Sequence, residues 1–288
     1  MKGPSLTFFG TGTSLGVPIN GCHCDVCTSP DPRDKRFRSA ALVRWNGLQI
    51  LVDAGPDFRM QMLAHDIGHL DAILLTHHHK DHTSGLDDVR ALNYIDRRAM
   101  EIYCEQRVLD YLKVDFAYAF AENKYPGSPE WHIHVIDDKP FRVFDTRQAP
   151  ALEWVHDVGY RYMPVEGPQA EPASVEVVPI RGFHDQLPVL GFRFGDIAYI
   201  TDMSRLPEEE LPKLQGLRHL TLNTVSYKPH HSHFSLDEAI ALSERIGADH
   251  TWLTHLSHTF PRHEAFCRYL AERTGGKVQA AYDGLTIE

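Results

Sequence analysis

Residues 71–86 read DAILLTHHHKDHTSGL, an apolar run that ends in a cluster of histidines. An apolar run at 71–76 leads directly into four histidines and one aspartate within six positions, in the pattern His-x-His-x-Asp-His. A short run rich in isoleucine and leucine is typical of a buried strand. One histidine after such a strand would most simply be an exposed polar residue. Four histidines and an aspartate together indicate a metal centre.

The spacing of these residues suits two metal ions. A catalytic zinc uses about three protein ligands and keeps one position for water. Paired catalytic metals about 3.5–4 Å apart need two such ligand sets. Side chains two positions apart in an extended segment face the same way, so His77 and His79 can bind one ion. Asp81 and His82, after the turn, can then face a second ion.

The stretch THHHKDH resembles the signature of the metallo-β-lactamase-fold hydrolases. The remaining ligands of that family follow in chain order, with His184 in VVPIRGFHDQ, Asp202 in IAYITDMS and His255 in TWLTHLSH. The resemblance extends from FFGTGTS near the start to AAYDGLTI near the end, apart from the segment 121–174. It implies a mixed α/β (α+β) fold, the four-layer αββα sandwich, with metals at one edge of its two sheets.

The resemblance also implies a dinuclear metal-dependent hydrolase. A hydroxide bound between the two ions would be the nucleophile, and Asp81 would orient it. Zinc, manganese and iron all suit histidine and aspartate ligands, so the metal stays open. The implied ligands are His77, His79 and His184 for one ion, Asp81, His82 and His255 for the other, and Asp202 as the bridge.

A second cluster, GCHCDVC at 21–27, contains three thiols. The spacing Cys-x-Cys-x-x-Cys suits one zinc ion but needs a fourth ligand. The run resembles that of the phosphoribosyl 1,2-cyclic phosphate phosphodiesterases, in which a histidine three residues after the last catalytic histidine completes the site. His23 in place of that histidine, and a disulfide with one free thiol, remain alternatives. The resemblance implies a structural zinc on Cys22, Cys24, Cys27 and His258.

Two further stretches are candidates for substrate contacts. His233 lies just before a predicted helix capped by Ser235, where free backbone N–H groups favour an anion. A histidine there can bind a phosphate and protonate a leaving oxygen, and His230 and His231 are nearby competitors. The basic run RDKRFRS at 33–39 is either a solvated loop or a set of contacts to phosphate or ribose. Its candidates are Arg33, Lys35, Arg36 and Arg38.

Charge and hydropathy narrow the class of partner. The 288 residues carry a formal net charge of −10, which gives no long-range attraction for nucleic acid. The start lacks the apolar region of a signal peptide, and no run approaches the roughly 18 apolar residues of a membrane span. We therefore expect a cytoplasmic protein that acts on a small anionic phosphodiester and has no membrane contact.

The pattern of apolar runs predicts strands interspersed with helices along one domain, 1–288. A Gly195-Asp196 turn predicts a hairpin within 189–201. Capping-box patterns begin at Ser84 and Ser235. The segment at about 121–174, rich in proline and aromatic residues, is interpreted as an insertion that forms a lid or a homodimer contact. The predicted strands are 5–10, 40–45, 48–53, 71–76, 100–104, 132–136, 175–180, 189–194, 197–201, 218–225, 250–254 and 278–287, and the predicted helices are 57–66, 84–98, 105–120, 207–215, 236–246 and 261–274.

The leading hypothesis is a dinuclear metal phosphodiesterase for a small cyclic phosphate or nucleotide-like diester. A ribonuclease Z-like tRNA processing nuclease is one alternative, which the net charge disfavours. Hydrolysis of a thiolester or lactone is another. From a different class, the protein could be a non-catalytic, zinc-stabilised module that binds a nucleotide.

Overall fold

Two seven-stranded sheets form the centre of the computed structural model, which describes residues 3–125, 127–147, 149–155, 159–163 and 171–288. The first sheet has the order β16-β1-β2-β3-β4-β5-β6, antiparallel from β16 to β3 and parallel from β3 to β6. Its strands are β1 Ser5–Gly10, β2 Ala40–Trp45, β3 Leu48–Val52, β4 Ala72–Leu74, β5 Met100–Cys104, β6 Trp131–Val135 and β16 Thr286–Ile287.

The second sheet repeats this mixed pattern with the order β15-β14-β13-β12-β11-β10-β7. Its strands are β7 Phe141–Phe144, β10 Ser174–His184, β11 Leu187–Phe194, β12 Ile197–Tyr199, β13 His219–Asn223, β14 His250–Thr254 and β15 Val278–Ala280. A separate antiparallel pair joins β8 Leu152–Val155 to β9 Gly159–Tyr162.

Helices cover the outer face of each sheet. The first sheet packs against α1 Phe58–Ala64, α3 Arg90–Asp96 and α4 Gln106–Asp115, and the second against α5 Leu236–Ile246 and α6 His263–Thr274. A third apolar layer, which includes Phe8, Phe192 and Tyr199, lies between the two sheets. Each sheet therefore buries both faces, and the predicted αββα sandwich is confirmed.

Several predicted elements have the bounds that the sequence indicates, among them β1, β2, β5, β14 and α5. Ser235 and Glu238 form both hydrogen bonds of the capping box of α5, and Gly247 ends this helix at φ 73°. The hairpin turn at Gly195 is also present, with φ 56° between β11 and β12. At these positions local sequence and tertiary structure agree.

Other boundaries differ from the prediction. Ser84 does not cap the start of a helix, because it lies at the C-terminal end of the short α2 Lys80–Thr83. In place of the predicted helix 84–98, the structure has a 3₁₀ turn at Leu86–Val89 followed by α3. The 207–215 helix is 3₁₀, over Glu208–Leu214, and contains Pro212, which has no N–H to donate. The predicted strand 278–287 is two strands, β15 and β16, which belong to different sheets.

The segment 121–174 contributes to both large sheets within its described parts. It supplies β6 to the edge of the first sheet and β7 to the edge of the second, followed by the β8–β9 pair. The short strands β7, β8 and β9 were not predicted, because each has only four residues and one of these is charged. A lid or dimer contact in this segment stays a prediction. Every helix in the described ranges is too short or too polar to cross a bilayer.

Candidate metal centre

The predicted metal ligands come together from the ends of strands in both sheets. His77 and His79 follow β4, His184 ends β10, and Asp202 and His255 follow β12 and β14. Asp202 and His255 each have φ 57°, a left-handed conformation that costs a residue other than glycine of the order of 1–3 kcal/mol. Packing of the two sheets holds the backbone in this conformation at the positions where ligands are needed.

One group of donors consists of His77, His79 and His184, whose ligand atoms lie within 4.8 Å of one another. The ring of His79 is 4.6 Å from that of His77 and 5.0 Å from that of His184, between centroids. Nε2 of His77 is buried and has no hydrogen-bond partner. An unpaired buried polar atom costs about 1–3 kcal/mol, so this nitrogen fits a metal ligand.

A second group lies beside the first and shares a residue with it. The ligand atoms of His77, His82 and Asp202 also lie within 4.8 Å of one another. Nε2 of His82, likewise buried without a hydrogen bond, is 3.2 Å from Oδ2 of Asp81 and 3.3 Å from Oδ2 of Asp202. The same oxygen of Asp202 is 3.3 Å from Nδ1 of His255. Asp202 therefore lies where a bridging carboxylate is needed.

The charges at this centre suit divalent cations. Burial lowers the pKa of His77, His79 and His255, which favours their neutral imidazoles. At His82 burial acts in the same direction, but Asp81, Asp202 and Asp53 outweigh it and raise the pKa, so a metal there would take the place of a proton. Burial opposes ionisation of Asp202, but His255 and His82 outweigh it and hold the pKa of this carboxyl well below its usual range. Neutral imidazoles and an ionised carboxylate are the forms that bind a metal. The residues therefore fit the divalent metals that the fold family implies.

His233 lies beside this centre without a hydrogen bond to its buried Nδ1. Its ring centroid is 4.6 Å from that of His184 and 4.7 Å from that of His255, and Nδ1 is 3.8 Å from Oδ1 of Asp202. Burial lowers the pKa of His233 to about 2, so the imidazole is neutral before substrate binds. Because its ring nitrogen is within 4.8 Å of the ligand atoms of His184 and Asp202, it is also a competing ligand.

His78, the remaining histidine of the motif, contacts α4. Its ring stacks on Tyr111 of α4, with centroids 3.7 Å apart and planes at 6°. This contact holds it outside the two donor groups described above.

The three clustered thiols meet His258 as the resemblance implies. Their sulfurs lie 3.3 Å (Cys22), 3.4 Å (Cys24) and 3.5 Å (Cys27) from Nδ1 of His258. Zinc bond lengths of about 2.3 Å to sulfur and 2.0 Å to nitrogen give similar separations in a tetrahedral site. None of these three cysteines forms a disulfide, and His23 is exposed. The backbone N–H of Cys27 donates a hydrogen bond to the sulfur of Cys24, and this is the main reason that the pKa of Cys24 is lowered to about 6.

A family model described as a beta-lactamase superfamily domain matches residues 49–256. The chain belongs to the beta-lactamase superfamily. It is a metal-dependent hydrolase of the metallo-β-lactamase fold, as the sequence predicts. A crystal structure of a diphosphatase from the PhnP family is 33% identical, with a TM-score of 0.81 over 99% of this chain and 97% of the other.

Curated relatives of this hydrolase have several names. A ribonuclease Z of Streptomyces avermitilis is 27% identical over 89% of this chain and 93% of its own length. An octanoyltransferase of Porphyromonas gingivalis is 38% identical over 96% of this chain, but the chain spans only half the length of that relative. The human short-form tRNase Z structure, at 20% identity and a TM-score of 0.62, shows the shared fold.

Behind the predicted ligands of the hydrolase lies a set of polar residues that the sequence analysis did not identify. Asp53, after β3, accepts hydrogen bonds from His82 Nδ1 at 2.7 Å and from the Thr76 backbone N–H at 2.9 Å. Thr76 Oγ1 is also 2.9 Å from Nδ1 of His77. Since β3 and β4 are parallel neighbours, Asp53 ends at the same sheet edge as the histidine motif. The strand-end argument that found the histidines could have found Asp53.

Two more partners hold the remaining histidines. Ser39 Oγ lies 3.1 Å from Nδ1 of His255. Nδ1 of His184 donates to the backbone oxygen of Ser232 over 2.6 Å. Contacts of this kind fix the orientation of a ligand and the ring nitrogen that carries the proton. Their partners lie far apart in the chain, so no local pattern marks them.

The basic run of the hydrolase makes internal contacts. Arg36 is buried and donates to Thr11 Oγ1 and the Ala281 oxygen, each at 2.7 Å, which corrects the expectation that it contacts substrate. The partly exposed members stay candidates, although each has a partner within the chain. Arg33 pairs with Asp31, Arg38 pairs with Asp57, and Lys35 donates to the Cys27 oxygen.

Proposed function

We propose that this hydrolase cleaves a small cyclic phosphate or nucleotide-like phosphodiester. The observation that carries the proposal is the position of His233, beside the shared carboxylate of Asp202 and between His184 and His255. An ester with a poor alkoxide leaving group needs a proton donor, and His233 is placed to be one. Two adjacent donor groups suit a phosphoryl group, whose two non-bridging oxygens share the negative charge of a diester.

Two divalent ions would supply Lewis acidity and lower the pKa of a coordinated water to about 7. The donors of both groups would hold these ions, and Asp81 would accept a hydrogen bond that orients the attacking water. His233 then donates a proton to the leaving oxygen. A phosphodiester anion beside His233 favours its protonated form, against the burial that keeps it neutral in the free protein.

The names of two similar proteins support chemistry at phosphorus. A diphosphatase cleaves a P–O–P link and a ribonuclease cleaves a P–O–C link, and both kinds of protein align with nearly the whole chain. The net charge of −10 favours a small substrate over a polynucleotide. Thiolester hydrolysis is the second candidate, because an octanoyltransferase is 38% identical over the aligned residues.

A substrate panel with controlled metal content tests this proposal. The panel contains a ribose 1,2-cyclic phosphate, a nucleoside cyclic phosphate, an aryl phosphodiester, a precursor tRNA and an octanoyl thiolester. We expect turnover of the small diesters that chelation abolishes and added zinc or manganese restores. Turnover of the tRNA or the thiolester alone would contradict the proposal. Tight binding of a cyclic phosphate with no turnover would favour a non-catalytic nucleotide-binding role.

The same preparation also tests the number of metals. Two ions in the histidine and aspartate groups and one in the thiol group give about three per chain. A count of two, with the thiol group empty, would contradict the structural zinc.

A further inference from the structure

A third cluster of metal-ligating side chains lies outside the two sites described above. Its members are Glu101 on β5 and His132 and His134 on β6. One ligand atom from each lies within 4.8 Å of the other two. None of the three belongs to the catalytic groups or to the thiol site.

Strand pairing brings these residues together. In the parallel pair β5–β6, Glu101 is opposite His132 and Tyr103 is opposite His134. Alternate residues of a strand share a face, so both histidines lie on the same side as Glu101. Trp131 and Ile133, on the other side of β6, pack in the helix-covered layer. The three donors therefore project toward the space between the sheets.

Both imidazoles already contact the carboxylate. Nδ1 of His132 is 3.0 Å from Oε2 of Glu101, and Nε2 of His134 contacts the same oxygen. Ligand atoms about 2.1 Å from a zinc ion are about 3.0–3.5 Å from each other, so only small side-chain shifts are needed. Tyr103 stacks on His134 with centroids 4.3 Å apart and planes at 14°, which fixes the orientation of this imidazole.

The cluster opens into a cavity of about 440 Å³. Glu101, His132 and His134 all line it, together with Tyr103, Phe144 and Tyr162. His132 is more than half exposed and Glu101 is about one-fifth exposed, so an ion can enter from solvent. Three protein ligands leave further coordination positions that face this cavity.

We propose that Glu101, His132 and His134 form an additional binding site for a divalent transition metal. Two imidazoles and one carboxylate suit zinc, nickel or copper better than calcium or magnesium. The site lies at the edge strand of the first sheet, and an ion there links β5 to β6. This inference does not depend on the proposed phosphodiesterase function.

Metal titration of the full chain tests the proposal after the tighter sites are filled. Zinc is added to the metal-replete protein, and bound zinc is counted against a chelating dye. We expect one additional equivalent in the wild type. Because loss of even an outer partner of a ligand weakens metal binding about 10- to 100-fold, H134N and E101Q should weaken it by at least that much. The exposed His250 gives a matched control, H250N, which should retain the additional ion.

A spectroscopic readout separates this site from general histidine binding. Copper bound there should show coupling to two nitrogens in electron paramagnetic resonance, and H132N should reduce this to one. Before further metal is added, H132N should have the melting temperature of the wild type. It should also have the wild-type rate on the diester panel. An equal number of additional zinc ions in the wild type, E101Q and H134N would overturn the proposal.

Discussion

Nδ1 of His82 donates a hydrogen bond to Oδ2 of Asp53 over 2.7 Å, and both side chains are fully buried. Burial opposes the charged form of His82, but Asp81, Asp202 and Asp53 outweigh it and raise its pKa. The bond to Asp53 places a proton on Nδ1 and directs Nε2 toward Asp202. Asp53 is therefore a positioning residue for a predicted metal ligand.

Replacing Asp53 with asparagine should weaken metal binding at the second group. The amide cannot accept as strongly as the carboxylate, so His82 is held less firmly, and we expect metal affinity to fall about 10- to 100-fold. Turnover measured against metal concentration should recover at high metal, which a purely structural defect would not allow. The exposed Asp66 supplies the control D66N, and equal metal dependence in the two variants would contradict this role.

His233→Ala should affect substrates according to their leaving group. General acid catalysis contributes about 10²- to 10⁴-fold, so kcat for a ribose cyclic phosphate should fall by that factor. An aryl diester releases a stable phenolate and needs little protonation, so its kcat should fall much less. Comparison of the two rates in wild type and H233A measures this difference. A similar loss on both substrates would indicate that His233 binds metal or phosphate instead.

Cys24→Ser should remove the structural metal before it affects catalysis. The variant should contain one zinc fewer per chain and lose at least about 1 kcal/mol of stability, which lowers Tm by about 2 °C in a domain of this size. Calorimetry and metal analysis measure both. Cys104→Ser, outside the cluster, is the control for loss of a thiol without loss of zinc. Full zinc content in C24S would show that the site lies elsewhere.

Because His263 is buried, we expect the free energy of unfolding to fall in mild acid. Burial, with Arg36 and Arg33 nearby, lowers its pKa to about 4, below the value of about 6.5 in an unfolded chain. The unfolded chain binds the proton first, so the stabilising contribution is complete above pH 6.5 and is lost as pH falls toward 4. Relative to H263N, the wild type should lose about 2 kcal/mol between pH 7.5 and 5. Urea unfolding of both proteins at the two pH values tests this, and parallel pH profiles would contradict it.

The histidine motif and the fold class could be predicted because their signals are local or ordered along the chain. His77, His79, Asp81 and His82 follow one apolar strand, and the sandwich follows from the family resemblance. The structure brings these residues together with His184, Asp202 and His255. Their roles as metal ligands stay predictions until metal is measured.

The remaining site residues depend on tertiary contacts that no local pattern encodes. Ser39 reaches His255 across 216 positions, and Glu101 reaches His132 across 31 through strand register. In the basic run, the sequence predicted a possible substrate contact that the structure does not support. The charges of this run looked available for substrate, but the fold encloses Arg36 against Thr11 and Ala281. A charge pattern alone does not distinguish an exposed arginine from a buried arginine that hydrogen-bonds within the protein.

The thiol cluster has a consequence for synthesis of the chain on the ribosome. His258 lies 231 positions after Cys27, so the fourth donor is translated long after the three thiols have left the exit tunnel. At about 5–20 residues per second this interval is roughly 10–50 s. During that time Cys22, Cys24 and Cys27 lack the imidazole that completes their site. Oxidation of the nascent chain in this interval would form a disulfide between thiols that are not paired in the folded protein.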